Sequence, residues 1–221
     1  MIKKKIKGDL IVISGPSGCG KGTICSELIK NNENLVISTS ATTRSPRDGE
    51  VNGIDYFFIS KEEFEEKINN NEFLEFAKVH HDNYYGTLKN KVLSNIDKGI
   101  DVILEIDIEG ALQINNTMPE AIFIFILPPS MKELKRRLIN RKTESKEQII
   151  DRFKKAYQEI NEISKYNYVV INDEIDIAVN KIKSIIQAEK CRVDRIEDFD
   201  LNTKEELIHE LLTDDLKEYK K

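Results

Sequence analysis

Two hydrophobic rhythms alternate along this chain: short continuous apolar runs, and stretches in which apolar residues recur every three or four positions. Residues 10–14 (LIVIS) are an unbroken, largely β-branched run, the pattern of a strand covered on both faces in a parallel sheet. Residues 35–40 (LVISTS), 101–107 (DVILEID), 121–127 (AIFIFIL, halted by Pro128 and Pro129) and 166–171 (YNYVVI) predict four more strands. KGTICSELIKNN at 21–32 reads as a helix. Ile149, Phe153, Ala156, Ile160 and Ile163 mark another over 145–165, opened by Ser145 and Gln148 at capping-box spacing. Strands separated by helices predict an α/β fold, a mainly parallel sheet flanked by helices.

The rhythm breaks between the second and third strands. Residues 41–98 contain a turn-rich SPRDGEVNG, an aromatic YFF, a helical KEEFEEKINN and NYYG. That is too long for a plain connection, so an inserted subdomain is expected there, with 8–40 and 99–190 as the core of one domain. The length of 221 residues suits a single domain. A basic segment, KELKRRLINRKTES at 132–145, predicts a helical lid over 137–150. The charged tail 191–221 contains TKEELIHELLTDDLKEY, a surface helix expected to dock on the core or on a second subunit, which makes a homodimer possible.

Charge and cysteine usage narrow the partners. A net charge of -5 gives no overall field for long nucleic acid, so an anionic ligand must be met by locally clustered cations. Cys19, Cys25 and Cys191 form no disulfide framework, and with His80, His81 and His209 they give no metal spacing. The expectation is reduced thiols and a cytoplasmic setting. The apolar run in MIKKKIKGDLIVISG is only five residues long, too short for a secretory core or a membrane span.

The chemistry begins at GPSGCGKGT, residues 15–23. Gly15, Gly20 and Lys21 match the frame G-x-x-x-x-G-K of a phosphate loop, in the strand-loop-helix setting such a loop requires. Gly15, Pro16, Ser17, Gly18, Cys19, Gly20, Lys21, Gly22 and Thr23 are therefore candidate nucleoside-triphosphate contacts, with Lys21 a point charge for the phosphates. Gly22 stands where a metal-binding hydroxyl is usual. Arg44 and Arg47 beside a Pro and Gly turn are forked donors suited to a second phosphate. Glu105 and Asp107, two apart in DVILEID, are expected on one strand face at the carboxyl end of the sheet. Arg137 and Arg141, four apart, and Arg152 are candidate lid cations able to neutralise a transferring phosphoryl group and exclude water.

Across residues 8–190 the sequence resembles guanylate kinase, a P-loop NTPase-type fold. The resemblance is carried by GPSGCGKGT, STSATTRSPRDGEVNGIDYFF, NNEFLEFAKVHHDNYYGT, ILEIDIEGA and IFILPPS in that order. It implies ATP as donor with Mg²⁺, and GMP as acceptor bound by the inserted subdomain. By the same resemblance Arg44, Arg47, Tyr56 and Tyr85 hold the GMP phosphate, and Ser40, Glu75 and Thr87 read guanine. Glu50 joins the GMP site. Glu105 and Asp107 lie near metal and nucleotide, Glu105 acting on the metal through water, and Asn172 neighbours adenine. Guanine offers N1–H and a 2-amino group side by side, and one carboxylate such as Glu75 accepts both. Two other readings stay open: a non-catalytic guanylate-kinase-like interaction module, and a kinase for a different nucleoside monophosphate.

Overall fold

The computed structural model describes residues 7–30, 32–79, 82–140, 146–195 and 208–209. The chain runs through β1 (Leu10–Ser14), α1 (Lys21–Ile29) and β2 (Leu35–Ile37). It then enters β3 (Ala41–Thr42), β4 (Phe57–Phe58), α2 (Lys61–Asn69), β5 (Phe73–Val79), β6 (Asn83–Leu88) and α3 (Lys89–Ile96). It returns through β7 (Asp101–Glu105), α4 (Ile108–Thr117), β8 (Ile122–Leu127), α5 (Met131–Asn140), α6 (Lys146–Ile160), β9 (Tyr168–Ile171) and α7 (Ile175–Glu189).

Two sheets result. The central one has the order β2-β7-β1-β8-β9, and all its pairs are parallel. Alternate residues of β1 explain its continuous apolar sequence. Ile11 and Ile13 pack with Ile24 and Leu28 of α1 and with Ala178 and Ile182 of α7. Leu10 and Val12 pack on the opposite face with Val92 of α3 and Ala111 and Ile114 of α4. With helices on both faces the middle of the strand is left to apolar residues. Each fully buried Ile or Leu contributes about 1.5–3 kcal/mol of transfer free energy. Strand order reverses at β1, so the crevice for a ligand opens at the carboxyl ends of β1 and its neighbours β7 and β8.

The second sheet, β4-β3-β6-β5, is built from the residues between β2 and β7. Its core is aromatic: Phe64 of α2 stacks between Phe73 at 4.3 Å and Tyr84 at 5.1 Å between ring centres. A fourth, smaller cluster joins α5 to α6 through Leu134, Leu138 and Ala156, with Ile149 and Phe153 against them.

Three expectations change. The strand beginning at Leu35 stops at Ile37. Ser38 N–H still reaches the Ile103 carbonyl at 2.9 Å, but the Ser40 carbonyl already accepts from Phe57 in the second sheet, and the chain crosses between them. β7 ends at Glu105, so Asp107 does not share its strand face. Asp107 instead caps α4, its Oδ1 accepting from Gly110 N–H at 2.9 Å. The helix expected through residue 165 tightens into a 3-10 turn over Asn161–Lys165. Arg141, Ser145, the side chain of Gln148, His80, His81 and nearly all of the C-terminal helix lie outside the described residues. Among those described, no helix is long and apolar enough to cross a membrane.

At the amino-terminal ends of the central strands acids and bases interlock. Lys190 meets Asp101 at 2.6 Å, and Arg195 meets Asp9 at 2.8 Å and buried Glu189 at 2.9 Å. These bonds tie the end of α7 beneath β1 and β7, beside a hollow of about 580 Å³.

Candidate functional site

The phosphate loop links β1 to α1. Gly20 adopts φ 95°, a left-handed conformation that favours glycine, and a side chain there would run into the Asn172 amide. Lys21 folds back, its Nζ donating to the carbonyl of Gly15 at 2.6 Å and of Pro16 at 3.4 Å. Asn172 Nδ2 donates to the Cys19 carbonyl at 2.8 Å, while its buried Oδ1 has no partner. Such an acceptor suits an exocyclic amino group. Gly18 lies against Leu134 and Leu138, and Cys19 and Cys25 are buried thiols whose pKa burial raises.

Arginines from α5 and α6 reach this loop. Arg137 of α5 donates to the carbonyls of Cys19 at 3.3 Å and Asn172 at 3.1 Å, and is held by Glu133 at 2.8 Å. Arg136 grips the same Glu133, and the two guanidiniums hold its carboxyl down to about 2. Arg152 of α6 donates to Ser17 Oγ at 3.4 Å. Glu159, at the end of α6, is raised by burial and drawn back by Lys155 and Lys21.

Glu105 stands at the carboxyl end of β7. Its oxygens are 3.4 Å and 3.5 Å from where a Cβ would stand on Gly22, and burial raises its pKa while Lys21 lowers it. Its charge also adds to the upward push on the pKa of Tyr56, which immediately precedes β4. Thr23 is exposed.

The second sheet carries the other half. Arg44 makes a two-pronged pair with Glu50, both bonds 2.9 Å, and donates to the Ser45 carbonyl at 2.8 Å. Its guanidinium lies 5.4 Å from the Tyr56 ring centre, with the Tyr85 hydroxyl a further partner. Arg44 Nε is buried without a partner, a donor left over for an anion. Glu50 also accepts from Arg47 N–H at 2.7 Å, so it braces both arginine positions. The Arg47 side chain is exposed.

Glu75 of β5 is 7% exposed and accepts from Thr87 Oγ1 at 2.6 Å. Burial, aided by the nearby Asp107 charge, pushes its pKa up to about 7. Ser40 precedes β3 and is half-buried. Thus Glu75, Tyr85 and Thr87 lie on the second sheet with Ser40, Arg44, Glu50 and Tyr56 in the segments flanking β3 and β4, and the loop residues with Asn172, Arg137 and Arg152 gather beside the first. Glu133, which holds Arg137, and Gly110 and Gln113 of α4, which meet β5, were not legible as site residues. Only the helical spacing of Gly110 and Gln113 could have placed them on one face.

A family model described as "Guanylate kinase" matches residues 7–189. The chain belongs to the guanylate kinase family. It is 64% identical over 208 residues to a guanylate kinase of Clostridium tetani, covering 94% of this chain and 99% of that protein. It is 60% identical over 204 residues to one from Caldanaerobacter subterraneus, covering 92% and 98%. The crystal structure of guanylate kinase from Anaplasma phagocytophilum matches it with a TM-score of 0.69 at 37% identity, covering 87% of this chain and 91% of that one.

Proposed function

We propose that this chain transfers the γ-phosphoryl group of ATP to GMP, and to dGMP, giving GDP or dGDP and ADP. The observation that carries this reading is Glu75, a desolvated carboxylate whose side-chain partner is a single hydroxyl. Its free acceptor capacity matches the paired N–H donors of guanine, and a base without them would leave it unmet. Sites built on such pairs reject the wrong base by about 10⁴-fold.

The chemistry follows from placement. An anionic oxygen of the GMP phosphate attacks the γ-phosphorus in line as the bond to the β–γ bridging oxygen breaks, so no general base is needed. Lys21 and the loop amides hold the donor phosphates, and Arg44, with Arg47, Tyr56 and Tyr85, holds the acceptor phosphate. Arg137 and Arg152, with Arg141 on the strength of the sequence, neutralise the transferring group and exclude water. Glu105 fits a hard divalent cation such as Mg²⁺, which keeps most of its ligands as water and phosphate oxygens and needs few from protein. When bound, that ion would offset charge on the donor phosphates.

Purified chain incubated with ATP and each of GMP, dGMP, AMP, UMP and CMP should release ADP with the two guanine nucleotides only. ADP release with none of them would favour the interaction module, and preference for another nucleotide would overturn the base reading. A cytoplasmic setting, where ATP is supplied, belongs to the same reading. Self-association through residues 191–221 belongs to the same reading, and light scattering that finds a monomer would remove it.

A further inference from the structure

The second sheet meets the core along one strip of α4. Asp107, Gly110 and Gln113 are spaced three apart and lie on one face there. The Gln113 carboxamide donates from Nε2 to the Phe76 carbonyl at 2.9 Å, and its Oε1 accepts from Phe76 N–H at 3.1 Å. β5 is an edge strand, so this side chain supplies the pair of bonds that a further strand would have made. One turn back, Gly110 leaves the space in which Glu75 rests: a Cβ there would stand 2.9 Å from Oε2. The register of β5 against β6 shifts between Phe73 and Glu75, so Glu75 is the first residue of the stretch that then pairs without a break to Val79, at the end where the ladder is interrupted.

We propose that Gln113 is a positioning residue for acceptor recognition. By gripping the main chain of Phe76 it sets where β5 sits over α4, and so holds the neighbouring Glu75 carboxylate against Gly110. It takes hold of the backbone and leaves the acid free for its ligand. The inference rests on Glu75 being the guanine contact.

Steady-state kinetics on Gln113→Ala, Glu75→Gln and the double variant test it. Alanine favours helix more than glutamine does, so α4 itself is not weakened. Gln113→Ala should raise KM for GMP about tenfold, the loss of two partly exposed hydrogen bonds, with KM for ATP unchanged. In the double variant the two effects should not multiply, because Gln113 acts through Glu75. Full multiplication, or equal losses for GMP and ATP, overturns the proposal. A parental KM in Gln113→Ala alongside an impaired Glu75→Gln refutes Gln113 alone. A parental KM for GMP in Glu75→Gln refutes the base reading and this inference with it.

Discussion

Glu75→Gln separates what the acceptor site does for binding from what it does to stability. The native carboxyl has its pKa pushed from 4.5 to about 7 by burial. The folded protein therefore holds this proton more tightly than the unfolded chain does. The sign follows: the stability tied to the protonated form is fully present below about pH 4.5 and is lost as pH rises through 7. At about 1.36 kcal/mol per pKa unit, carrying the bare carboxylate at pH 8 costs the unliganded protein about 3 kcal/mol. Glutamine carries no charge and keeps an oxygen for Thr87. At pH 8 the variant should melt roughly 6–12 °C higher than the parent, and the gain should vanish near pH 4.5. The amide cannot accept both guanine donors, so KM for GMP should rise by about 10- to 100-fold with KM for ATP unchanged. Ligand-free melts at pH 8 and pH 4.5, with kinetics at pH 8, read both effects. A variant no more stable than the parent at pH 8 would refute the desolvated charge, and an unchanged KM for GMP would refute the base contact. The parent should also bind GMP more weakly as pH falls from 8 to 6, beyond the change that GMP's own phosphate imposes on Glu75→Gln.

Lys21→Ala should reduce turnover by at least about 10³-fold while GMP binding measured by calorimetry persists; near-parental turnover would remove Lys21 from the donor site. Glu50→Gln weakens the two-pronged grip on Arg44 and should raise KM for GMP about tenfold with KM for ATP unchanged, whereas a fall would mean that the carboxylate opposes the phosphate. Arg195→Ala takes from Glu189 and Asp9 their shared cation, with Arg192 still beside Glu189, and should lower stability by about 1–3 kcal/mol in urea melts; altered KM values instead would tie this end of the sheet to the site.

Legibility followed the rule that a residue is easy to place when packing alone decides it. β1, β7 and β8 are apolar because helices cover both faces, and their runs could be read directly. β5 was invisible as a strand because its pattern is broken by Glu75, a charged residue turned inward where an apolar one belongs. Chemistry chose that residue, and the alternation was lost with it. Asp107 was misplaced for the opposite reason: Ile106 prolongs the apolar run past the true end of β7, and the capping bond to Gly110 depends on where the chain turns. α4 carries a glycine and two asparagines in ten residues and has little helical signal of its own. Its contacts with β5 hold it. The phosphate loop needed no such context, because glycine spacing there encodes the backbone shape itself. The Glu50 brace on Arg44 had no signal, since a carboxylate six residues along a loop meets an arginine only once the turn has formed.

Gly22 and Glu105 make sense only as a pair. In the usual loop the residue after the lysine brings a hydroxyl to the cation beside the phosphates. Here that position has no side chain, and the hydroxyl of Thr23, one step on, is exposed. The space in front of Gly22 is not vacant, because both Glu105 oxygens lie within 3.5 Å of where its Cβ would stand. A strand-borne carboxylate therefore puts an oxygen near the place from which a helix-borne hydroxyl would have acted. The two arrangements differ in charge and in origin. A hydroxyl at position 22 would belong to α1 and to the donor half alone, whereas Glu105 belongs to β7, whose following turn is capped by Asp107 and packs through Gly110 against Glu75. The glycine that weakens the match to the common loop is thus what lets an acid of the central sheet stand against the first turn of α1.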